Sequence, residues 1–358
     1  MPRTPSPYIK SALRSFDPYV PGEQPPADER LVKLNTNENP YPPSPRVIEA
    51  LRNYDEDALR RYPDPVHTAL RQAAGNLLGL SPDLLIAGNG SDELLAMILR
   101  AFLDPGDRVA LPSPTYSLYP TLTLMHGGIV VERPAPLGGS KVESVLDVDA
   151  KITFIASPNS PDGYLVERND IVQLCRARHS SGIVVVDEAY VDFTHGDVAD
   201  LVEEFDNLIV TRTLSKSFSL AGLRVGIAAA CPALMDALWA VKDSYNLGGL
   251  PQALAVAALR DSDYMRANAA TIIATRSNTS HLLEERGWKV YPSHANFIFA
   301  EPGKEDAGDL YRSLSNRGIF VRYFSYPPLD KGLRISIGSA EQMQILMDAL
   351  DEIRRETP

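Results

Sequence analysis

The sequence predicts an α/β protein: a large domain on a mostly parallel, doubly wound sheet, a smaller C-terminal α+β domain and an N-terminal arm. Three observations predict it. Between about residues 45 and 230, short apolar strand-like runs alternate with helical stretches at regular spacing, the pattern of a sheet with helices on both faces. From Trp288 the pattern changes to strand, strand, helix, strand, strand, helix, which reads as a compact α+β unit. Residues 1 to about 34 carry seven prolines and little apolar periodicity, so they read as an arm that lies on something else. The limits that follow are 1–34 for the arm, 35–259 for the large domain and 260–358 for the small one.

Each element has its own signal. The polar, Pro-locked stretch Leu34-Asn35-Thr36-Asn37-Glu38-Asn39-Pro40, read alone, is a capping loop before a helix from Pro45 to about Tyr54. Arg60-Arg61-Tyr62-Pro63-Asp64 is a turn leading into a helix over Val66–Leu78. Leu84–Ala87 reads as a short buried strand, followed by Gly88-Asn89-Gly90-Ser91-Asp92-Glu93 and an amphipathic helix over Leu94–Phe102. Strand, glycine turn, helix is the architecture of an anion site, although Ser91 also fits a plain N-cap. It is not a dinucleotide fingerprint, because Glu93 stands where the third glycine belongs, and no Gly-Lys-Ser/Thr makes it a P-loop.

Next come a strand at Arg108–Leu111, the turn Pro112-Ser113-Pro114-Thr115-Tyr116, a helix to His126 and a strand at Ile129–Glu132. Residues 134–148 read as a linker, Lys151–Ala156 as a buried strand, and Glu167–His179 as a helix. Ile183-Val184-Val185-Val186 runs into Asp187-Glu188-Ala189-Tyr190. Four β-branched residues in a row read as a parallel strand buried on both faces, with carboxylates at its carboxyl end. Strands before Lys216 and at Val225–Ala230 follow, then helices over Pro232–Tyr245 and Pro251 to about Arg286. The C-terminal unit is read as strands at 288–291, 296–300, 319–322 and 333–337, with helices at 307–316 and 340–355.

The 358 residues carry 46 acidic and 35 basic side chains, a net charge of −11. That excess opposes nonspecific binding to nucleic acid or to an anionic membrane. Cys175 and Cys231 are far apart and outside any metal-ligand spacing, so neither a disulfide framework nor a metal is expected and a reducing compartment fits. The N-terminus lacks the apolar core of a signal peptide, and no run reaches the length of a membrane span; the expected location is cytoplasmic.

The chemistry centres on Thr211-Arg212-Thr213-Leu214-Ser215-Lys216-Ser217, a lysine among hydroxyls just after the apolar run Leu208-Ile209-Val210. A bare Ser-Lys-Ser is most often a solvated loop. Here the apolar residues Leu220, Ala221, Leu223 and Val225 follow, and other strand ends supply partners: Ser91 and Asp92 at a helix N-terminus, Tyr116, Asn159, Asp187, Tyr190 and Arg224. Singly, each has an ordinary structural reading as cap, core-edge aromatic or surface ion pair. Together they suit an aldehyde cofactor with a phosphate and a ring nitrogen. A lysine forms the imine, a carboxylate keeps the ring nitrogen protonated, an aromatic stacks on the ring, and a helix N-terminus with hydroxyls and an arginine takes the phosphate.

These motifs, with Arg61-Tyr62-Pro63-Asp64, Ala221-Gly222-Leu223-Arg224-Val225-Gly226 and Leu333-Arg334-Ile335-Ser336-Ile337-Gly338, make the chain resemble the fold-type I pyridoxal-phosphate aminotransferases of class I/II. Within them it is most similar to the histidinol-phosphate aminotransferase family, from about Pro18 to Met347. The resemblance implies the cofactor pyridoxal 5'-phosphate and catalytic roles for Lys216, Asp187 and Tyr190. Lys216 binds the aldehyde carbon and moves the proton, Asp187 pairs with the ring nitrogen, and Asn159 and Tyr190 hydrogen-bond the ring hydroxyl. Tyr116 stacks on the ring, while the Ser91 and Asp92 amides, Thr213, Ser215 and Arg224 hold the phosphate. Tyr62 reaches the cofactor of a second subunit, which implies a homodimer with shared sites. Arg334 takes a substrate carboxylate, and Tyr19, Asn37 and Arg322 line the side-chain pocket.

The implied reaction is transamination between histidinol phosphate and 2-oxoglutarate in histidine biosynthesis, a small-molecule amino donor and a 2-oxo acid acceptor. Aromatic amino-acid transamination and threonine-phosphate decarboxylation are the alternatives on the same scaffold, and a non-enzymatic cofactor-binding regulator is opposed by the intact Lys216, Asp187 and Arg334. The chain departs from the family in Ser160-Pro161-Asp162-Gly163, where Asn-Pro-Thr-Gly is common, and Asp162 is expected to add negative charge near the site. A second departure is Leu247-Gly248-Gly249-Leu250, where the pocket is expected to differ.

Overall fold

The β-branched run that predicts a doubly buried strand lies in the middle of a seven-stranded sheet. A computed structural model describes residues 8–10, 23–24 and 31–356. The described chain passes through β1 (Val32–Lys33), α1 (Pro45–Arg52) and α2 (Thr68–Leu78) before it reaches that sheet. The sheet strands are β2 (Leu85–Gly88), β3 (Arg108–Ser113), β4 (Ile129–Pro134), β5 (Ile152–Ala156), β6 (Ile183–Asp187), β7 (Leu208–Thr213) and β8 (Gly226–Ala230). Between them lie the helices α3 (Ser91–Phe102), α4 (Leu118–Met125), α5 (Val142–Val145) and α6 (Arg168–Arg178). The spatial order is β2-β8-β7-β6-β5-β3-β4. Only β8 runs against the rest, antiparallel to both β2 and β7.

Alternate side chains of β6 enter different cores. Val184 and Val186 join one apolar cluster and Ile183 and Val185 the other, all nearly inaccessible to water. That is why the strand reads as continuous apolar sequence rather than as an alternation. One cluster holds α3, α4 and the inner side of α7 (Pro232–Val241) against the sheet. The other continues without a break from the sheet into the C-terminal region. There, β9 (Lys289–Val290), β10 (Phe297–Glu301), β12 (Arg322–Tyr323) and β13 (Leu333–Ser336) form an antiparallel sheet in the order β12-β13-β10-β9. It is flanked by α10 (Ala307–Asn316) and α11 (Ala340–Glu356). A short parallel pair joins β1 to β11 (Ile319–Phe320) and so ties the start of the described chain to its C-terminal region.

Three expectations need correction. The helix expected over Pro251–Arg286 is two, α8 (Gly249–Leu259) and α9 (Ser262–Glu285). At the break, Asp261 accepts a hydrogen bond from the Ser44 hydroxyl and stands 3.8 Å from Arg46, so it braces the N-terminus of α1. The strand expected over 319–322 divides at buried Val321 into β11 and β12, which pair with different partners. The linker expected over 134–148 contains α5 and a fully buried lysine, Lys141. Among the described residues, no helix is long and apolar enough to cross a membrane and no acid, His or Cys cluster suits a metal.

The antiparallel strand has a local consequence. Gly226 pairs with Gly88 on one side and Thr213 on the other, so the start of β8 lies at the carboxyl ends of β2 and β7. A Cβ on Gly226 would sit 2.6 Å from the Gly90 carbonyl carbon and the Ser91 nitrogen, both backbone atoms that cannot swing away. Gly90 itself, at φ +85°, turns the chain into α3, and a Cβ there would meet the Arg224 guanidinium at 2.6 Å. Gly226→Ala is therefore expected to destabilise the fold by roughly 1–3 kcal/mol, the usual scale of overpacking. Denaturant titration against wild type checks this; an unchanged midpoint would contradict the close approach.

Candidate active site

Because six of the seven strands run the same way, their carboxyl ends gather along one edge of the sheet, where open α/β sheets bind ligands. A cleft lies there between the large sheet and the small one. Its lining includes Asn37, Ser91, Asp92, Tyr116, Asp187, Tyr190, Thr213, Ser215, Lys216, Arg224, Arg322 and Arg334. Twelve side chains distributed through the sequence from position 37 to position 334 thus meet in one place.

Lys216 follows the end of β7, half-buried on the cleft wall. Its Nζ donates to the Thr36 carbonyl at 3.1 Å and lies 5.7 Å from the Tyr190 ring centroid. Burial, with help from the nearby Arg334 and Arg224 charges and against Glu38 and Asp92, pulls its pKa down to about 8. The turn that carries it is fixed from both sides. Asn39 donates to the Lys216 and Ser217 carbonyls at 3.1 and 3.0 Å, and the Ser217 hydroxyl bonds Asp192. Arg212, one of the two arginines that bracket the lysine in sequence, points away from the cleft into Glu188, Asp192 and Asp197 at 3.0, 3.4 and 2.8 Å. It holds the turn from beneath.

Asp187 closes β6 and is almost fully buried. Burial raises its pKa to about 6, while hydrogen bonds from the Tyr119 hydroxyl (2.8 Å) and the Thr211 hydroxyl (3.2 Å) favour the anion. The sequence reading missed both donors. Tyr119 had a signal, since it lies three residues after Tyr116, in the first turn of α4. The two rings meet edge-on at 5.4 Å.

The anion end is built from the N-terminus of α3 and the turn before β8. Arg224 donates to the Ser215 hydroxyl at 3.2 Å and stands 3.3 Å from the Asp92 carboxylate. Thr213 and Ser215 hydroxyls are 2.9 Å apart. Arg224 and Asp92 both keep about two-fifths of their side-chain surface exposed, so their pairing is weak and open to competition from an entering anion. Ser91 begins the helix rather than capping it; Gly90 is the cap residue and makes no side-chain cap bond. The first helical N–H groups are thereby left facing the cleft, the geometry that favours a phosphate.

Opposite stands the small sheet. Arg334 on β13 donates to the Ser160 hydroxyl at 3.1 Å and the Asn35 carbonyl at 2.9 Å, with its guanidinium over the Phe297 and Phe324 rings. Arg322 on β12 lies 5.3 Å from the Phe324 ring centre. Asn37 donates to the Tyr190 hydroxyl at 3.0 Å and is held by Ser336 and Asn296.

Some candidates lie elsewhere. Asn159 is fully buried behind the cleft wall, and the neighbouring Ser160 lines the cleft in its place. Asp162 does not add charge to the cleft: it is fully buried and paired with Lys141 at 2.6 Å, so the expected negative field is cancelled within one residue's reach. The segment Leu247–Leu250 enters α8 and does not line the cleft. Tyr62 is outside the cleft, highly exposed and stacked on Tyr245 with ring centres 4.3 Å apart. Tyr19 lies outside the described residues.

The site therefore offers a depressed amine, a buried carboxylate beside an aromatic pair, and a helix N-terminus with hydroxyls and an arginine. That set fits a ring cofactor bearing an aldehyde, a basic ring nitrogen and a phosphate. Comparison with known proteins agrees. The aminotransferase class I and II family profile matches residues 29–350. The chain is 44% identical over 349 residues to a histidinol-phosphate aminotransferase of Trichormus variabilis, covering 97% of this chain and 99% of the relative. It is 43% identical over 346 residues to the Synechocystis histidinol-phosphate aminotransferase, covering 97% and 98%. The crystal structure of the Sinorhizobium meliloti histidinol-phosphate aminotransferase with pyridoxal-5'-phosphate superposes with a TM-score of 0.88 at 27% identity, over 99% of this chain and all of the other. The strand-end cleft and these likenesses lead to one conclusion: the chain belongs to the class I and II aminotransferases, and among them to the histidinol-phosphate aminotransferase family.

Proposed function

We infer that the protein is a pyridoxal-phosphate-dependent aminotransferase that moves the amino group between histidinol phosphate and 2-oxoglutarate. The observation that carries the chemistry is the Lys216 amine, held near neutrality on a cleft wall that it shares with Asp187 and Arg224. The substrate assignment is carried by relatives that bear the name and align over nearly the whole chain.

When bound, pyridoxal phosphate supplies an electron sink that stabilises the carbanion left when a substrate amine loses its α-proton. The protein's own groups do the rest. Lys216, neutral above pH about 8, offers its Nζ as nucleophile and, once released, as the base that carries a proton from one carbon to another. Asp187 would hold positive charge on the ring nitrogen, and the Tyr119 and Thr211 hydroxyls favour its ionised carboxylate in spite of burial. The α3 N-terminus with Thr213, Ser215 and Arg224 would fix the phosphate. Tyr116 would cover one face of the ring, and Tyr190, oriented by Asn37, would reach the ring hydroxyl.

Arg334, anchored by the Ser160 hydroxyl and the Asn35 carbonyl, suits the carboxylate of the 2-oxo acid. Arg322, opposite Arg334 on the adjacent strand, suits the phosphate of the amino donor. The Lys141–Asp162 pairing removes the electrostatic objection to such an anionic donor. A second copy of the chain would complete the site. Tyr62, Leu59, Val66 and Tyr245 expose apolar surface close together in sequence or by stacking, as expected of a face that a partner covers. From that face Tyr62 would reach the partner's cofactor phosphate. The described chain and its charge favour a cytoplasmic enzyme with no nucleic-acid or membrane partner.

Three measurements test this. In single half-reactions followed spectrophotometrically, histidinol phosphate is expected to convert the bound cofactor to its amine form faster than phenylalanine does. Release of carbon dioxide from threonine phosphate without that conversion would overturn the transferase assignment, as would a lack of visible absorbance in cofactor-treated wild type. Recombination of the apoprotein with pyridoxal phosphate is expected to accelerate about tenfold per pH unit below 8 and level off above it, because only the neutral lysine reacts. A rate that is flat from pH 6 to 9 would remove Lys216 deprotonation from that step. Finally, Tyr62→Phe and Lys216→Ala, each impaired alone, should recover part of the activity after mixing and subunit exchange; no recovery would argue against a shared site.

A further inference from the structure

Lys141 and Asp162 are both completely buried, 2.6 Å apart, and neither lines the cleft. An isolated charge pair in such a place costs desolvation that only good geometry and further hydrogen bonds offset. Lys141 also donates to the Pro136 carbonyl at 2.6 Å. Asp162 Oδ2 accepts from the Gly138 amide at 2.9 Å, which ties down the segment after β4. Asp162 Oδ1 accepts from Asn159 Nδ2 at 2.8 Å. That same amide nitrogen donates to the Pro114 carbonyl at 3.1 Å, and Asn159 Oδ1 accepts from the Thr115 hydroxyl at 2.8 Å.

We propose that the Lys141–Asp162 pair is a positioning device for the active site, acting through Asn159. A carboxylate without a proton only accepts hydrogen bonds, so it can face only the NH2 end of the Asn159 amide. That choice turns the amide oxygen toward Thr115 and directs the second N–H to Pro114. The result is a clamp between two turns, the one after β3 that carries Tyr116 and the one after β5 that carries Ser160, the hydroxyl against which Arg334 rests. Lys141 anchors the carboxylate from its other side. Lys141 and Asp162 do not line the cleft; they act on it through Asn159, and through it on where Tyr116 and Ser160 stand. The proposal rests on the transaminase reading only in what those two residues then do.

Two double variants separate positioning from stability. Lys141→Met with Asp162→Val removes both charges and the Asp162 acceptor of Asn159, leaving only the Pro114 carbonyl. Lys141→Met with Asp162→Thr removes both charges but keeps an oxygen that can accept from Asn159. Neither strands a buried charge. The first is expected to bind pyridoxal phosphate about tenfold more weakly than wild type, the scale of one lost hydrogen bond, with a raised KM for 2-oxoglutarate and a smaller change in kcat. The second is expected to stay within about twofold of wild type on both readouts, whatever its thermal midpoint. Thr115→Val cuts the clamp from the other end with the ion pair intact, and should weaken cofactor binding in the same way if either double variant folds poorly. Cofactor affinity that is equal in the two double variants, or that simply follows their thermal midpoints, would overturn the proposal. Failure of wild type itself to bind the cofactor would instead overturn the functional reading.

Discussion

The site depends on an amine taken out of water. An exposed lysine would be a cation at neutral pH and could neither attack an aldehyde carbon nor accept a proton. Lys216 gives up its proton far more readily, with a pKa of about 8, because the cleft desolvates it and because Arg334 and Arg224 lie near enough to disfavour a further positive charge. The cost falls on the free protein below pH 8, where Lys216 carries its proton in the folded and the unfolded chain alike and the folded state bears the full penalty. The penalty shrinks as pH rises from about 8 toward the ordinary lysine value, since the unfolded chain then holds the extra proton. Such a group persists only where the surroundings compel it. Here they do: Asn39 and Ser217 grip the turn, and the buried Arg212 cluster supports it from behind.

Asp187 is the complementary case. Burial works against its charge, and two hydroxyl donors work for it. A cationic ring nitrogen would add the missing favourable partner, so ligand and carboxylate stabilise each other's charged form. The aspartate ends β6 and the lysine sits in the turn just after the adjacent parallel strand β7, the two strands being in register through Thr211 and Asp187. The sheet fixes the strand ends from which both groups project, and the hydrogen bonds that grip the Lys216 turn fix the rest of their spacing.

The two sheets divide the labour. The large sheet carries lysine, carboxylate and anion cradle, and the small one carries the two arginines and the aromatic rings around them. Asn35–Asn37, just after the β1–β11 pairing, bridges the two: Asn35 meets Arg334, Thr36 meets Lys216, and Asn37 meets Tyr190, Ser336 and Asn296. A stretch that reads by itself as a capping loop is in fact the seam of the active site.

What the sequence alone determined was local in character. The valine run marked the central strand because β-branched residues buried on both faces leave no alternation to hide. The glycine turn before α3 marked an anion site, and the lysine, aspartate and arginines were legible because they lie at predicted strand ends. Tertiary structure decided whatever depended on which chain segments meet. It reversed β8, broke the long helix at Asp261 and showed Tyr119 supporting Asp187. It buried Asn159 and set Ser160 in the cleft lining, and it turned Asp162 from a charge near the site into half of a neutral buried pair, because its counter-ion lies twenty-one positions earlier in a segment that reads as a linker. Residue type and spacing carry the first kind of information. The second kind, the partner of a buried polar atom, has no periodicity to announce it and exists only once the chain has closed on itself.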